Sequence, residues 1–105
     1  MRIIVPFNLK PGTDTAAYEE WARTRELPGV GSLVSVLDFQ IYRTTGLLGG
    51  EGKPAFAYIG VIDIDNMEAF DRDISTEAMR NLSAEFEKFA DAQFILTETL
   101  SEVLP

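Results

Sequence analysis

The hydrophobic pattern of this chain changes its period along the sequence, and the order of those changes limits the folds open to it. Residues 2–9 alternate apolar and polar side chains, which is typical of a half-buried strand. Residues 14–25 instead space their apolar side chains as an amphipathic helix does. Strand-like stretches follow at residues 30–44 and 55–64, and a second helical stretch leads into a last strand at residues 94–104. The predicted order of elements is therefore β-α-β-β-α-β.

Turn and capping residues separate these stretches. Leu27-Pro28-Gly29 is predicted to end the first helix. Four glycines within residues 45–54 predict a flexible hairpin connection and not a phosphate-binding loop, because a strand and not a helix follows them. Asp65 is expected to cap the second helical stretch, and Ser75-Thr76 to interrupt or re-cap it.

This order is that of the split βαβ fold, in which four antiparallel strands form a sheet and both helices cover one face. The predicted fold class is thus α+β, of ferredoxin-like type. A chain of 105 residues has the usual size of one domain. We therefore expect residues 1–105 to form a single domain.

The uncovered face of such a sheet needs a partner if it is apolar. On the simplest strand parity, this face carries Ile4, Val36, Tyr42, Tyr58 and Ile62. A surface of that kind is too apolar to stay in contact with water. Two sheets that pair across a two-fold axis would bury it, so the sequence predicts a homodimer whose sheets form a barrel.

The chain contains neither histidine nor cysteine, which narrows the chemistry open to it. Disulfides, thiolate nucleophiles and the nitrogen and sulfur ligands that zinc and iron prefer are all excluded. Any catalysis would rest on carboxylates, Tyr, Lys, Arg or positioning alone. We therefore expect no metal and no cofactor, and the lack of cysteine is consistent with a reducing, cytoplasmic location.

The charge and hydropathy of the chain argue against two classes of partner. Seventeen acidic and nine basic residues give a formal net charge of −8, which would repel nucleic acid. The sequence has no apolar run of eighteen or more residues, so no membrane span is expected.

Several segments of the chain resemble RedY/HapK-like proteins, a group within the dimeric α+β barrel superfamily. The similar segments are residues 4–12, 18–22, 27–30, 39–43 and 58–62. Members are associated with prodiginine-type pigment pathways and with cofactor-free steps on indole- or pyrrole-derived intermediates. The resemblance therefore implies a dimeric barrel and a small aromatic heterocycle as ligand. Many relatives place a histidine at the cleft; this chain has none, so the resemblance assigns no catalytic residue.

Two carboxylates are candidate catalytic groups. Asp38 shares with Gln40 and Tyr42 the face that is expected to look into the barrel, where partial desolvation would raise its pKa toward that of a general base. The alternative is a solvated Asp38 at a strand end or a dimer rim. Glu98 lies in the predicted last strand and would supply the second carboxylate of an acid–base pair, or lie on an exposed edge.

Gln40 and Tyr42 on that face are candidate ligand contacts, and so are Tyr18, Trp21, Tyr58 and Arg43. Trp21 and Tyr18, together with Phe86, are placed to wall an aromatic pocket between helix and sheet, or simply to fill the core. Tyr58 is expected on the barrel face, where its hydroxyl would need a partner. Arg43 is a candidate for neutralising an acidic ligand, and equally for a plain surface ion pair.

Two functions of different class follow from these candidates. The first is a cofactor-independent cyclase, isomerase or related proton-transfer enzyme that acts on a small pyrrole- or indole-like molecule in a barrel-side pocket. The second is a non-catalytic dimer that binds such a ligand or assists a biosynthetic partner. A pocket holding a buried Asp38 beside Tyr58 or Gln40 favours the enzyme, whereas a closed apolar pocket without an acid favours the binding dimer.

Overall fold

A computed structural model describes residues 1–102 as one antiparallel sheet with helices on a single face. The elements, in chain order, are β1 (Arg2–Leu9), α1 (Thr15–Trp21), a π-helical turn (Ala22–Glu26), α2 (Leu27–Gly31), β2 (Val36–Arg43), β3 (Tyr58–Ile64), α3 (Met67–Ile74), α4 (Glu77–Glu87), β4 (Ala90–Ala92), β5 (Ile95–Leu96) and a 3-10 turn (Leu100–Glu102). Within residues 1–102, no helix has the length and apolar composition needed to cross a membrane.

The sheet confirms the predicted α+β, ferredoxin-like class. Its strands follow the order β2-β3-β1-β4, and β5 pairs with the other end of β1. The predicted last strand is therefore two short strands that share one register, and both end before residue 97. The break between them lies across from Pro6, which has no amide hydrogen to donate to a ladder. Residues 103 and 104 of that predicted strand lie outside the described residues, as does residue 105.

The core lies between the sheet and the helices. The sheet contributes Ile3, Val5 and Phe7 of β1 and alternate residues of β3, and the helices contribute Tyr18, Ala22, Phe70 and Phe86. Alternation along β1 buries every second residue, as predicted. Residues of β1, β2, β3 and β5 that point away from the helices form the outer face of the sheet. This face includes Ile4, Pro6, Asp38, Gln40, Tyr42, Ile59, Val61, Asp63 and Ile95.

Three residues expected on the outer face lie under the helices instead. Tyr58 is paired with Phe7 and Ile62 with Ile3, and directly opposed residues of an antiparallel pair share one face. Val36 is turned inward by a β-bulge between Val36 and Asp38, in which Leu37 is the extra residue. The bulge leaves the side chain of Leu37 65% exposed.

The first helical stretch does not end at Leu27-Pro28-Gly29, as was predicted, but continues to Gly31. Pro28 has no amide hydrogen, and in a regular helix its ring would clash with the carbonyl of residue 24. The π-helical turn just before Pro28 is a wider turn that relieves this conflict, and the amide of Leu27 bonds the carbonyl of Ala22 across it. The helical stretch therefore continues past the proline, and Glu26 lies at the end of the π-helical turn.

The second helical stretch is divided as predicted. Thr76 caps α4, and its side-chain oxygen accepts a hydrogen bond from the amide of Met79. Asn66 rather than Asp65 caps α3, accepting from the amide of Ala69. The predicted Asp65 cap is wrong by one residue, since Asn66 has the extended backbone that a cap requires.

Candidate functional site

A cavity of about 340 Å³ lies between the sheet and the helices. Its floor is formed by side chains of β1, β2 and β3 and by the backbone of Gly60, and its walls include Trp21 and Phe86. Phe94 and Leu96 line it and are also more than half exposed, so they mark its opening to solvent. The cavity is therefore on the helix-covered face and not on the barrel side, where the sequence predicted a pocket.

The cavity lining is almost entirely apolar. Among the described residues that line it, only Glu26 and Ser83 have oxygen in their side chains. None of these lining residues is cationic. A carboxyl group in such surroundings loses much of its hydration, which penalises its charged form.

Glu26 is the acid of this site. Its Oε1 accepts a hydrogen bond of 3.0 Å from the hydroxyl of Tyr18, which is itself fully buried. Burial raises the pKa of the Glu26 carboxyl to about 7, against the lowering effect of the Tyr18 hydrogen bond. Burial, with Glu26 next to it, also raises the pKa of the Tyr18 hydroxyl far above its ordinary value, so Tyr18 stays a neutral donor. The pair can hold or release a proton near neutral pH.

Glu26 was not among the predicted site residues, because it falls between the predicted helix of residues 14–25 and the predicted terminator Leu27-Pro28-Gly29. A signal was nevertheless present. Tyr18, Ala22 and Glu26 are spaced by four residues and so continue one apolar stripe of the helix, in which an acid is out of place.

A second tyrosine–glutamate pair, Tyr58 and Glu19, lies at the edge of the core near the first pair. The hydroxyl of Tyr58 donates to Oε2 of Glu19 at 2.7 Å. Arg43 binds both carboxylate oxygens of Glu19, through Nε at 2.9 Å and through Nη2. The hydrogen bond from Arg43, followed by that from Tyr58, holds the pKa of Glu19 at about 2. Arg43 therefore forms a partly exposed ion pair with Glu19, and Tyr58 is a core residue and not an outer-face contact.

Trp21 and Tyr18 have different places in the site. Trp21 lines the cavity, and its indole Nε1 donates to Oε1 of Glu85 at 3.0 Å, which fixes the plane of the ring. Arg25 holds the same carboxylate through two nitrogens. Tyr18 lies in the core and reaches the site through its hydroxyl. Their predicted contact with a ligand stays a prediction.

Asp38, Gln40 and Tyr42 lie on the outer face, on the side away from the helices. All three are exposed in the single chain, and Gln40 Nε2 donates to Asp38 Oδ1 at 3.2 Å. Asp38 faces Asp63 across the ladder. The desolvated Asp38 expected from the sequence is thus absent from the single chain, since nothing in the described residues covers this face. A role for these three residues stays a prediction that depends on a partner.

Glu98 lies outside the strands. β5 ends at Leu96, and Glu98 follows in an exposed, irregular segment. It does not line the cavity. The predicted strand was too long because the break across from Pro6 leaves only two paired residues after it. The structure therefore does not bring Glu98 and Asp38 together as an acid–base pair.

Comparisons of the sequence and of the structure with known proteins point to the same family. The family model described as REDY-like protein HapK matches residues 1–100. The crystal structure of HapK from Hahella chejuensis is 24% identical in sequence, with 100% of this chain and 98% of that chain covered and a TM-score of 0.76. These matches confirm the predicted RedY/HapK-like resemblance.

Two more distant structures share the fold. SnoaB, a cofactor-independent oxygenase from Streptomyces nogalater, is 15% identical, with 96% of each chain covered and a TM-score of 0.65. A dimeric protein of unknown function and ferredoxin-like fold from Bacteroides fragilis is 10% identical, with 90% of each chain covered and a TM-score of 0.60. A comparison with curated protein sequences found no match.

Proposed function

We propose that this chain, which belongs to the family of REDY-like HapK proteins, is a cofactor-independent enzyme that moves a proton on a small, mostly apolar molecule. The molecule binds in the cavity between the sheet and the helices, and Glu26 is the acid–base group. The observation that carries this proposal is the carboxyl of Glu26 at the wall of an apolar cavity, bonded to the hydroxyl of a fully buried Tyr18.

The pKa of the Glu26 carboxyl is suited to proton transfer at neutral pH. A carboxyl whose pKa is about 7 is present in both its forms at neutral pH. A general base works best when its pKa is near the working pH, and groups of this kind contribute about 10²–10⁴-fold to rate. The carboxylate would accept a proton from an acidic C–H, N–H or O–H of the ligand and return it at another atom. The net change is an isomerisation or a ring closure, which needs no oxidant and no cofactor.

The lining of the cavity favours a neutral aromatic ligand. Trp21 and Phe86 contribute aromatic rings to the lining, and Met67 and Met79 contribute polarisable thioethers. An anionic ligand would meet Glu26 without a cation among the described lining residues. These features support a pyrrole- or indole-like heterocycle of secondary metabolism as the substrate class. The fold similarity to SnoaB is consistent with chemistry that needs no cofactor, although fold does not fix function.

We also propose that the protein works as a homodimer through its outer face. Ile4, Ile59 and Val61 form an apolar centre there, flanked by the exposed Tyr42 and Ile95. Burial of such a surface against a second copy would remove apolar area from water. The ferredoxin-like neighbour from Bacteroides fragilis is described as dimeric, which supports this arrangement. In the dimer, Asp38, Gln40 and Tyr42 would lie at the interface.

Hydrogen exchange on model ligands tests the enzyme. Neutral indole and pyrrole ketones, such as indole-3-acetone and 2-acetylpyrrole, carry C–H protons next to a carbonyl. Their exchange in D₂O is followed by NMR with the wild-type protein, with Glu26→Gln and with Glu20→Gln as a matched control, since Glu20 is an exposed acid of the same helix. We expect wild type and the control to accelerate exchange equally, and Glu26→Gln to lose about 10²-fold or more. Binding of these ketones without any exchange would favour the non-catalytic dimer.

A further inference from the structure

Gly60 leaves a gap in the layer of side chains above the sheet. It lies near the middle of β3 and is paired with Val5 on one side and Ile41 on the other. Along its own strand, the buried Tyr58 and Ile62 share its face. Each of these four neighbours covers the backbone with a side chain, whereas at Gly60 the bare peptide forms part of the cavity floor.

The fold itself does not require glycine at this position. The glycines with positive φ are Gly12, Gly49 and Gly52, and Gly60 is not among them. A Cβ added at Gly60 would have Val5 Cβ as its nearest neighbour at 3.4 Å, which is the lower limit of an ordinary van der Waals contact. Glycine in the interior of a strand is unfavourable, and it often marks a place where a ligand approaches the backbone.

Gly29 shows the contrast. A Cβ added there would lie 2.9 Å from Leu82 Cδ2, so the flexible end of the Leu82 side chain would have to move where α2 packs against α4. At Gly60 an added Cβ would meet no atom closer than 3.4 Å, so no neighbour would have to move by a comparable amount. The missing side chain enlarges the cavity at a cost to the strand, which points to the cavity as the reason for it.

We infer that Gly60 determines the size of the ligand: its bare backbone receives one face of a planar, neutral aromatic ring, and a side chain at position 60 would occupy that space. This inference deepens the proposed function and rests on its ligand cavity, but not on the chemistry of Glu26. It assigns to Gly60 a role in specificity and not in proton transfer.

The test uses binding of a neutral aromatic probe. N-phenyl-1-naphthylamine is titrated by fluorescence into wild type, Gly60→Ala and Gly60→Val, with Gly46→Ala as control because a Cβ at Gly46 meets nothing within 4 Å. We expect affinity to fall about threefold for the alanine variant and about tenfold or more for the valine variant, and to stay unchanged for the control. The melting temperature of Gly60→Ala should rise by roughly 2–5 °C, because alanine restricts the unfolded chain more than glycine does.

Competition with two smaller ligands separates a change of size from a general disturbance. Indole and pyrrole should each displace the probe from the wild type, and Gly60→Ala should weaken displacement by indole more than displacement by pyrrole. Equal weakening of both, or unchanged probe binding by a folded Gly60→Val protein, would overturn the inference.

The outcomes also separate this inference from the proposed function. If the wild-type protein fails to bind the probe, the cavity is not a ligand site and both proposals are wrong. If the Gly60 variants bind the probe as the wild type does, only the inference about Gly60 is wrong. Weaker binding of indole than of pyrrole in Gly60→Ala, together with proton exchange that does not depend on Glu26, would support the role of Gly60 and contradict only the catalytic role of Glu26.

Discussion

The hydroxyl of Tyr18 donates a 3.0 Å hydrogen bond to Oε1 of Glu26, eight residues later on the same helical stretch. The π-helical turn before Pro28 makes this possible, because it places Glu26 on the face that carries Tyr18 and Ala22. Tyr18 is held in place by aromatic contacts with Phe7, Tyr58 and Phe89. A rigid, neutral donor thus fixes the orientation of the Glu26 carboxyl at the cavity wall.

Removal of the Tyr18 hydroxyl should raise the pKa of Glu26 further. The hydrogen bond stabilises the carboxylate and lowers its pKa against the effect of burial. In Tyr18→Phe the charged form loses that donor, so a ¹³C NMR titration of the Glu26 carboxyl should give a midpoint above the wild-type value of about 7. Tyr58→Phe is the matched control, since its hydroxyl bonds Glu19 instead. A Tyr18→Phe titration that coincides with wild type would show that the hydrogen bond does not act on Glu26.

Replacing Glu26 with Gln should make stability less dependent on pH. The folded state holds the Glu26 proton more tightly than the unfolded chain, because burial raises this pKa from 4.5 to about 7. Stability of the wild type therefore falls as pH rises from about 4.5 to about 7, by a contribution on the order of 3 kcal/mol. In urea unfolding, the free energy of unfolding of Glu26→Gln relative to that of the wild type should increase by that order between pH 5 and pH 8. A difference between the two proteins that is constant with pH would contradict a buried, titrating Glu26.

A charge placed at the centre of the outer face should separate the proposed dimer. Val61 lies in the central part of the sheet, and its side chain points away from the helices. Burying an unpaired carboxylate at an interface costs several kcal/mol. Sedimentation of the wild type should give about twice the chain mass of 11.7 kDa, and Val61→Glu should give the monomer mass. Ala84→Glu on the exposed side of α4 is the control and should remain dimeric, whereas a monomeric wild type would refute the dimer.

The elements that depend on local pattern were predictable from the sequence. The alternation of β1 and the re-capping at Thr76 follow from side chains close together in the chain, and the structure has both. It was harder to predict which face of β3 packs under the helices, because Ile59 and Val61 on one face are as apolar as Tyr58 and Ile62 on the other. Only the register against β1 decides which face is covered by helices, and that register is a long-range property.

The site was less predictable than the fold for two physical reasons. The bulge at Leu37 reverses the parity of the residues before it, and an extra residue in a strand leaves no clear mark in the alternation. Pro28 was a reasonable helix terminator, yet packing of the helix on the sheet favours a π-helical turn over an end. The acid at the cavity is the last residue of that turn, so an error in the helix boundary also hid Glu26.

The pH dependence of proton exchange by the wild-type protein tests the central claim most directly. With the indole or pyrrole ketone that exchanges fastest, the rate should rise with pH and level off around an apparent pKa of about 7, the value that burial gives to Glu26. In Glu26→Gln this step should disappear and only the slow background should remain. A profile that titrates near pH 4, or one that keeps its midpoint in Glu26→Gln, would show that another group moves the proton.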